Sequence, residues 1–273
     1  MSNTSLDYCC VSHIGKRPNH EDNFLLSNGR YILPAEQALL SPKECIRCAD
    51  HSSAAMQIFA VSDGMGGHNA GETASLICVS KLAKTVENIQ NCSHINDAVI
   101  LCQRTISAIN DEVCKISRAN IETKDMGATL VLQIFCEDKI SILNLGDSRA
   151  YFFDGMTLSQ ITKDNTEGQR MLDLNLLTEK EISSFPARKN VNRYIGYDRE
   201  NFVLKADEYT FDKMQGIYLL CSDGLSDALS ESGICEVLKR KQSIETTCKT
   251  LVECAASKQN ADNITAILIS TKE

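Results

Sequence analysis

Aspartate residues stand where the predicted β-strands of this chain begin or end. Asp63, Asp147 and Asp223 each follow a hydrophobic run, and Asp262 lies just before the last such run. A strand that runs antiparallel to its neighbours starts at the edge where they end. We therefore expect all four carboxylates to meet at one edge of the sheet.

Two further acids, Glu21 and Asp22, could join this cluster after the first strand. Two carboxylates about 4 Å apart repel each other by roughly 1 kcal/mol in water and by about 4 kcal/mol at an effective dielectric constant of 20. Such a cluster either takes up protons or holds a divalent cation. Oxygen ligands with few histidines suit Mg²⁺ or Mn²⁺ better than zinc. A single Asp-Gly or Asp-Asn step could merely mark a turn, but the whole set, next to buried strands, indicates a metal site.

A glycine-rich turn, GMGG at 64–67, follows Asp63 and leads into a predicted helix. Glycine lets the backbone approach closely, so a carbonyl group here could reach a metal ion. The same turn could alternatively cradle a phosphate group at the start of the helix. The chain contains neither a P-loop nor a dinucleotide-binding pattern, so the sequence does not support a nucleotide-binding fold.

Hydrophobic runs predict the strands that position these acids. They are Gln57–Asp63, Ala128–Phe135, Lys139–Gly146, Ser148–Phe153, Gly216–Asp223 and Ile264–Thr271. The three-residue link at 136–138 is too short for a crossover helix, so the strands it joins are antiparallel. Apolar spacing predicts a long helix over 95–116 with Ser93 as a possible cap, and shorter helices over 70–84 and 244–257. This mixed order predicts an α+β fold with an antiparallel sheet core and helices packed outside.

Composition narrows the classes of partner. The chain has 273 residues, a mass of 30.1 kDa, a formal net charge of −8 and a pI near 5.2. It lacks the basic surface that nucleic acids or anionic membranes normally require, so neither is an expected partner. No apolar run approaches the length of a membrane span, and the N-terminus has no secretory pattern. With 13 scattered cysteines, an odd number, we expect reduced thiols and a cytoplasmic location.

Two segments read as insertions. Residues 30–56 carry two cysteines, Cys45 and Cys48, with His51 nearby, but a metal clip would want a fourth ligand. The role of this segment stays open. Residues 164–200 are polar and contain the start of a short helix at Thr178, which indicates an excursion from the core of the kind that functional clefts recruit.

Six motifs occur in one order along nearly the whole chain, from about 15 to 270. They are GKRPNHED at 15–22, AVSDGMGGH at 60–68, MGATL at 126–130, LGDSRAY at 145–151, LCSDGL at 220–225 and DNIT at 262–265. Together they resemble the metal-dependent serine/threonine protein phosphatases of the protein phosphatase 2C type, particularly the compact bacterial branch. The resemblance implies two packed antiparallel β-sheets flanked by α-helices (an α-β-β-α sandwich), formed by residues 1–273 as a single catalytic domain.

The resemblance also implies two to three Mn²⁺ or Mg²⁺ ions at one end of the sandwich. Asp63 would bridge the two central ions, and the Gly64 carbonyl would bind one of them. Asp223 and Asp262 would complete the protein ligands of the other ion. Asp147 would help to hold a third, weaker ion.

The remaining implied site residues act around these ions. Glu21 and Asp22 would act mostly through metal-bound waters. Arg17 matches the phosphate-binding arginine of the family, and His68 matches a histidine that is a candidate general acid. The excursion at 164–200 corresponds to the family's flap, where substrate choice is thought to reside.

The implied reaction is hydrolysis of phosphoserine and phosphothreonine monoesters by a metal-activated water, with no covalent nucleophile. Phosphorylated proteins would be the partners, including a serine/threonine kinase or its targets. The chain departs from the family at His20, where asparagine is usual, and at Asp164-Asn165-Thr166, where Asp-His-Ser is common. The alternatives are a non-catalytic phosphatase-like binding domain and a different two-metal hydrolase, such as a phosphodiesterase or nuclease.

Overall fold

The computed structural model describes residues 5–41, 45–52, 54–66, 70–198 and 203–271. The strands are β1 (Leu6–His13), β2 (Asp22–Leu25), β3 (Cys45–Ser52), β4 (Gln57–Met65), β5 (Gly127–Ala128), β6 (Leu130–Phe135), β7 (Lys139–Leu145), β8 (Arg149–Phe153), β9 (Leu158–Gln160), β10 (Asp207–Asp212), β11 (Ile217–Cys221) and β12 (Ile264–Ser270). The helices are α1 (Pro34–Gln37), α2 (Ala70–Ala83), α3 (Val86–Gln90), α4 (Ile95–Ala119), α5 (Glu167–Asp173), α6 (Glu179–Ile182), α7 (Asp223–Ser226), α8 (Glu231–Leu238) and α9 (Ile244–Ala256), with a 3₁₀ turn at Ile121–Thr123.

The strands form two antiparallel sheets. The first has the order β3-β1-β12-β11-β8-β9, and the second has the order β10-β7-β6-β4-β2 with β5 paired to β4. As expected for a three-residue link, β6 and β7 pair directly, with Phe135 opposite Ile140. The predicted α+β fold with two antiparallel sheets is confirmed.

The two sheets pack on each other through aromatic and branched side chains. Phe59 and Phe135 of the second sheet meet edge-on, with ring centroids 6.0 Å apart. Phe135 also meets Tyr218 of the first sheet edge-on at 5.3 Å. Such contacts add to the stabilisation from burying the rings themselves. This layer joins the two sheets into one core.

Helices cover the outer faces of both sheets. The apolar faces of α2, α3 and α4 pack on the second sheet, and α7, α8 and α9 pack on the first. Because both faces of each sheet are buried, the central strands are almost continuously apolar rather than alternating. The fully buried run Leu130–Phe135, with Gln133 as its one polar residue, is an example. The predicted long helix is present as α4.

Several local predictions needed correction. The residue that precedes α4 is His94 rather than Ser93, and no side chain caps the helix there. The predicted strand 128–135 is interrupted at Thr129, which separates β5 from β6. The sequence did not predict the edge strands β3 and β10, whose exposed positions are polar and weaken the hydrophobic signal. In the part of the chain that the structure describes, no helix is both long and apolar enough to span a bilayer.

Candidate metal centre

The predicted acids converge at one end of the two sheets. Asp63 lies near the end of β4 and pairs directly with Asp22 at the start of the antiparallel strand β2. Asp147 follows β7, Asp223 follows β11 and Asp262 precedes β12, which runs antiparallel to β11. The strand ends and strand starts therefore meet, but not at the edge of a single sheet as expected. Asp22, Asp63 and Asp147 belong to the second sheet and Asp223 and Asp262 to the first, so the packing of the two sheets completes the group.

Asp63 stands at the electrostatic centre of this group. Burial is the main cause of its raised pKa, and the charges of four other aspartates, Asp22, Asp223, Asp147 and Asp262, raise it further. Its backbone is fixed by Thr129, whose Oγ1 accepts from the Asp63 amide at 3.0 Å and whose amide donates to the Asp63 carbonyl at 2.8 Å.

Four other acids, Asp147, Asp223, Asp22 and Glu21, have raised pKa values, chiefly because they are buried. Burial first, and neighbouring aspartates second, raise the pKa of Asp147 to about 7 and that of Asp223 to about 6. Burial also raises the pKa of Asp22 to about 7 and raises that of Glu21. Without a cation, such a cluster keeps protons near neutral pH.

Asp22 is fully buried and is held by one oxygen. Its Oδ2 accepts a hydrogen bond from Ser222 Oγ at 2.7 Å. Its Oδ1 has no hydrogen-bond partner among the described residues. A buried carboxylate oxygen without a partner is costly unless an ion or an ordered water satisfies it, so this atom points to a missing ligand.

Gly64 and the start of α2 touch backbone to backbone. A Cβ atom on Gly64 would lie 2.1 Å from the Gly71 carbonyl oxygen and 2.8 Å from that of Glu21. The Gly64 amide also donates to the Glu21 carbonyl at 3.1 Å. Only glycine fits here, and the close approach brings the Glu21 backbone next to Gly64. His68, the candidate acid, lies outside the described residues.

Arg17 lies at the mouth of a cleft of about 380 Å³ that the acids line. Its Nη2 donates to Asp262 Oδ2 at 2.5 Å, and its side chain is 58% exposed. The bond to Asp262 is the main cause of the raised pKa of Arg17, with Glu21 and Asp223 adding to it. The arginine is thus placed beside the acids, where a phosphate group could reach it.

The donor set fits hard divalent ions, although its present arrangement is open. Across the described ranges, no three His, Cys, Asp or Glu side chains are close enough to form a ready set of ligands for one ion. Arg17 holds Asp262 by one carboxylate oxygen. The acids nevertheless raise one another's pKa, and all of them are oxygen donors, as Mg²⁺ and Mn²⁺ prefer.

The predicted flap packs beside the acids. Its start is fixed by Arg149, which donates to both oxygens of Asp164 at 2.9 and 2.7 Å. Its return is fixed by Lys189, which forms an ion pair with Asp227, one turn after Asp223. A cleft of about 220 Å³ lies between the flap and two of the acids, Asp147 and Asp223.

Sequence reasoning missed the residues that orient the acids. Thr129, Ser222 and Asn263 all lie inside the quoted motifs, so their places beside the acids could have been read as positioning roles. Asn263 is an example, since its Oδ1 accepts from the Glu21 amide at 2.7 Å. No sequence signal identifies Lys189, because its position depends on how the flap folds back.

The two cysteines of the 30–56 segment do not form a clip. Cys45 and Cys48 are three residues apart on β3, so their side chains point to opposite faces. Cys45 packs against the core beneath α7, α8 and α9, whereas Cys48 packs against the core between the sheets.

Comparisons with known proteins agree with this architecture. A family model described as protein phosphatase 2C matches residues 46–268. The chain is 30% identical over 242 residues to the serine/threonine protein phosphatase PstP of Mycobacterium tuberculosis. This alignment covers 88% of this chain and 45% of that relative. It is 29% identical over 213 residues to the serine/threonine phosphatase stp of Listeria monocytogenes, covering 78% of this chain and 83% of that relative.

A solved structure extends the comparison to the metal centre. The catalytic domain of PstP in complex with two manganese ions superposes with a TM-score of 0.74 at 25% identity, over 98% of this chain and 99% of that one. The chain spans only about half the length of the PstP relative, 45%.

Proposed function

The chain belongs to the protein phosphatase 2C family, and from that premise we propose that it is a metal-dependent phosphatase of phosphoserine and phosphothreonine residues in proteins. The observation that carries this proposal is the gathering of Asp22, Asp63, Asp147, Asp223 and Asp262 at one end of the sandwich, where each raises the pKa of others. A non-catalytic relative would be expected to have lost part of this set.

The described residues supply a consistent set of ligands for the ions. Asp63 would contact both central ions, with the Gly64 carbonyl on one and Asp223 and Asp262 on the other. Asp147 would serve a third, weaker ion. Glu21 and Asp22 would act through water, in line with the unpartnered Oδ1 of Asp22. When bound, Mn²⁺ or Mg²⁺ lowers the pKa of a coordinated water and neutralises charge on the phosphoryl oxygens.

Arg17 binds the phosphoryl group in this proposal. A guanidinium has five N–H donors, so it can hold Asp262 and a phosphoryl oxygen at the same time. Charge-assisted hydrogen bonds of this type strengthen as negative charge develops on those oxygens.

No side chain is assigned as a covalent nucleophile. Ser148 is buried, and its hydroxyl hydrogen-bonds Thr129 at 2.7 Å. Cys221 is fully buried in β11, and burial raises the pKa of its thiol to about 12. His68 stays a candidate general acid.

The proposal also covers domain organisation. Residues 1–273 form one catalytic domain, with the flap at about 164–200 as an excursion that contributes to substrate choice. Support comes from the sheets, since β1 and β12, from opposite ends of the chain, pair over seven residues. A single calorimetric transition is the expected result, and two separable transitions would contradict it.

The substrates are phosphorylated proteins, including a serine/threonine kinase or the targets of one, and the place of action is the cytoplasm. All 13 cysteines are unpaired in the structure, as expected in a reducing compartment. Loss of phosphate from an autophosphorylated serine/threonine kinase, incubated with the chain and Mn²⁺, would support the kinase assignment. Cell fractionation tests the location.

The decisive experiment measures phosphate release from a phosphothreonine peptide in the presence of Mn²⁺. Asp63→Ala removes the central ligand and should lower turnover by more than about 100-fold, the upper end for outer partners of a metal site. Asp111→Ala, an exposed acid on α4, is the matched control and should retain activity. Exhaustive chelation should abolish the wild-type reaction.

The alternatives give different results in the same assay. A non-catalytic domain would release no phosphate although it bound Mn²⁺. A phosphodiesterase or nuclease would cleave bis-p-nitrophenyl phosphate faster than the phosphopeptide. Activity that survived complete chelation would rule out the metal-dependent mechanism.

A further inference from the structure

A chain of buried hydrogen bonds connects a histidine to one acid of the candidate metal centre. His20 Nε2 lies 2.8 Å from Ser12 Oγ, and Ser12 Oγ lies 2.7 Å from Thr265 Oγ1. The Thr265 hydroxyl lies beside Asp22 and lowers the pKa of that carboxyl, and the Thr265 amide donates at 3.0 Å to Ser222 Oγ, which in turn holds Asp22. All five residues are buried, with His20 only 2% exposed. These hydrogen bonds thus connect a residue outside the acid cluster to one inside it.

Regular structure fixes the middle of this chain. Ser12 in β1 and Thr265 in β12 are direct partners in the antiparallel register, so their hydroxyl groups face each other across the strand pair. Asp22 begins β2, and Ser222 lies between β11 and α7 and donates to Asp22 Oδ2 at 2.7 Å. His20 comes from the loop before β2 and reaches Ser12 from the other side.

The donors and acceptors can be ordered along the chain. An ionised carboxylate only accepts hydrogen bonds, and each hydroxyl has one proton to donate. If Thr265 donates to Asp22, it must accept from Ser12, and Ser12 must then accept from His20. The ring therefore donates through Nε2–H, which leaves the lone pair of a neutral imidazole on Nδ1.

The surroundings of the ring agree with this order. His20 Nδ1 has no hydrogen-bond partner among the described residues. The neighbouring side chain of Asn263 uses its amide hydrogens on the carbonyls of Ile14 and Asn19, both at 2.9 Å. No amide hydrogen of Asn263 is left to require an acceptor at Nδ1. Its carbonyl oxygen, which also neighbours the ring, already accepts from the Glu21 amide at 2.7 Å.

We propose that His20 is a positioning residue of the metal centre, which orients the Ser12 and Thr265 hydroxyls so that Asp22 is held by Oδ2 and presents Oδ1 to a metal-bound ligand. This inference rests on the metal centre proposed above. His20 is a residue at which this protein departs from the family pattern. An asparagine amide in its place would lie near the position of Nδ1 and would not reach Ser12 in the same way.

Three variants test the role of the Nε2 donor. His20→Phe keeps a ring but removes the donor, and Ser12→Ala breaks the chain at its middle. His20→Gln places an amide N–H near the position of Nε2 and should rescue the effect. Ser141→Ala is the matched control, because it removes a buried hydroxyl that pairs with the exposed Thr210 at 2.8 Å, on the β7–β10 edge.

The measurement is the Mn²⁺ dissociation constant from titration calorimetry, with the unfolding temperature recorded for each variant. His20→Phe and Ser12→Ala should each weaken Mn²⁺ binding by about tenfold, the lower end for residues that orient metal ligands. The double variant should bind no more weakly than either single one, because both changes break the same chain. His20→Gln and Ser141→Ala should retain the wild-type affinity.

Several outcomes would overturn the proposal. One is wild-type Mn²⁺ affinity in His20→Phe, which would reduce the residue to a role in packing. Equal losses in the Gln and Phe variants would show that the donor is not what matters. If the His20 variants fail to fold, the Mn²⁺ affinity of Ser12→Ala and the tautomer of His20 in the wild-type protein still test the proposal. Nitrogen chemical shifts should show the Nε2–H tautomer, and an Nδ1–H tautomer would contradict the order of donors.

Failure of the proposed function would look different. If the wild-type protein bound no Mn²⁺, there would be no metal centre, and the hydrogen bonds from His20 would have no metal-bound ligand to serve. The tautomer of His20 would still report whether the hydrogen bonds run in the stated direction. Normal Mn²⁺ binding and activity in His20→Phe would instead leave the function intact and remove only the role of His20.

Discussion

In the proposed function, individual acids and one arginine carry most of the chemistry. Asp22 and Asp63 sit opposite each other on neighbouring strands, an arrangement that is destabilising for like charges unless a cation or protons intervene. Arg17 supplies the positive charge nearest to Asp262. The site is thus a set of negative charges with Arg17 at its mouth, which suits metal ions inside and a phosphate group outside.

Replacing Arg17 tests its role as a phosphate ligand. Arg17→Ala should raise KM for a phosphothreonine peptide by about tenfold, because a hydrogen bond to a charged group contributes roughly 1.5 kcal/mol or more. The change in kcat should be smaller. Stability should change by less than about 1 kcal/mol, since the Arg17–Asp262 pair is largely exposed.

Arg17→Lys is the control for charge alone, since lysine keeps the cation but not the planar fork. It should bind the peptide more tightly than the alanine variant and less tightly than the wild type. An unchanged KM in Arg17→Ala would remove this residue from the phosphate site.

At the scale of elements, two close backbone contacts bring the ligands within reach of one another. The loop between β1 and β2 packs on the residues before β12, and Gly64 near the end of β4 packs on Gly71 at the start of α2. In the first loop, Gly15 has φ of +67°, and its ideal Cβ would lie 1.8 Å from the Asp262 carbonyl oxygen. The amide of Lys16 also donates to the Ala261 carbonyl at 2.9 Å. This loop therefore positions Arg17 relative to Asp262.

Gly15→Ala should disturb both the stability and the site. A left-handed conformation costs a non-glycine residue about 1–2 kcal/mol, and the clash with the Asp262 backbone adds to this. We expect a lower unfolding midpoint in urea together with weaker Mn²⁺ binding. Gly29→Ala is the matched control, since Gly29 has φ of +81° but nothing within 4 Å of its ideal Cβ.

The two glycine variants separate conformation from contact. Gly29→Ala should lose stability without losing Mn²⁺ affinity. If Gly15→Ala bound Mn²⁺ as the wild type does, the close packing of this loop on Asp262 would have no part in forming the site.

At the scale of the whole molecule, the sandwich holds several carboxylates with raised pKa values at one end. Asp147 and Asp22 have pKa values of about 7, and Asp223 has one of about 6, against a usual 3.8. Between the usual pKa of about 4 and the raised values of about 7, the folded chain binds more protons than the unfolded chain. The free energy of unfolding of the metal-free protein should therefore fall as the pH rises from about 4 to about 7.

Thermal unfolding with a chelator at pH 5 and pH 8 measures this effect. The metal-free protein should be less stable at pH 8, and each 1 kcal/mol lowers Tm by about 2–4 °C in domains of 150–250 residues. Excess Mn²⁺ should restore stability at pH 8, because it binds the ionised acids of the folded state. Asp147→Asn should reduce the pH dependence. A metal-free Tm that rose over this range would contradict the electrostatic account.

The sequence by itself determined the fold class, the main strands, the long helix α4 and the family. Hydrophobic runs report burial directly, and both faces of the central strands are covered, so β4, β6, β7, β11 and β12 were evident. The motifs identified the acids, because each acid lies next to the end or start of a strand in the sequence. Antiparallel pairing alone placed Asp223 near Asp262 and Asp63 near Asp22. The packing of the two sheets on each other then brought these two groups together.

Only the tertiary structure decided what lies around those acids. The edge strands β3 and β10 have too little apolar pattern to be read from the sequence, and their pairing depends on neighbours far along the chain. The contact of Lys189 with Asp227 joins residues that are distant in sequence. The hydrogen bonds from His20 through Ser12 to Thr265 do the same, since Ser12 and Thr265 are 253 positions apart. Such contacts depend on strand register and on the path of loops. No local propensity encodes either of these.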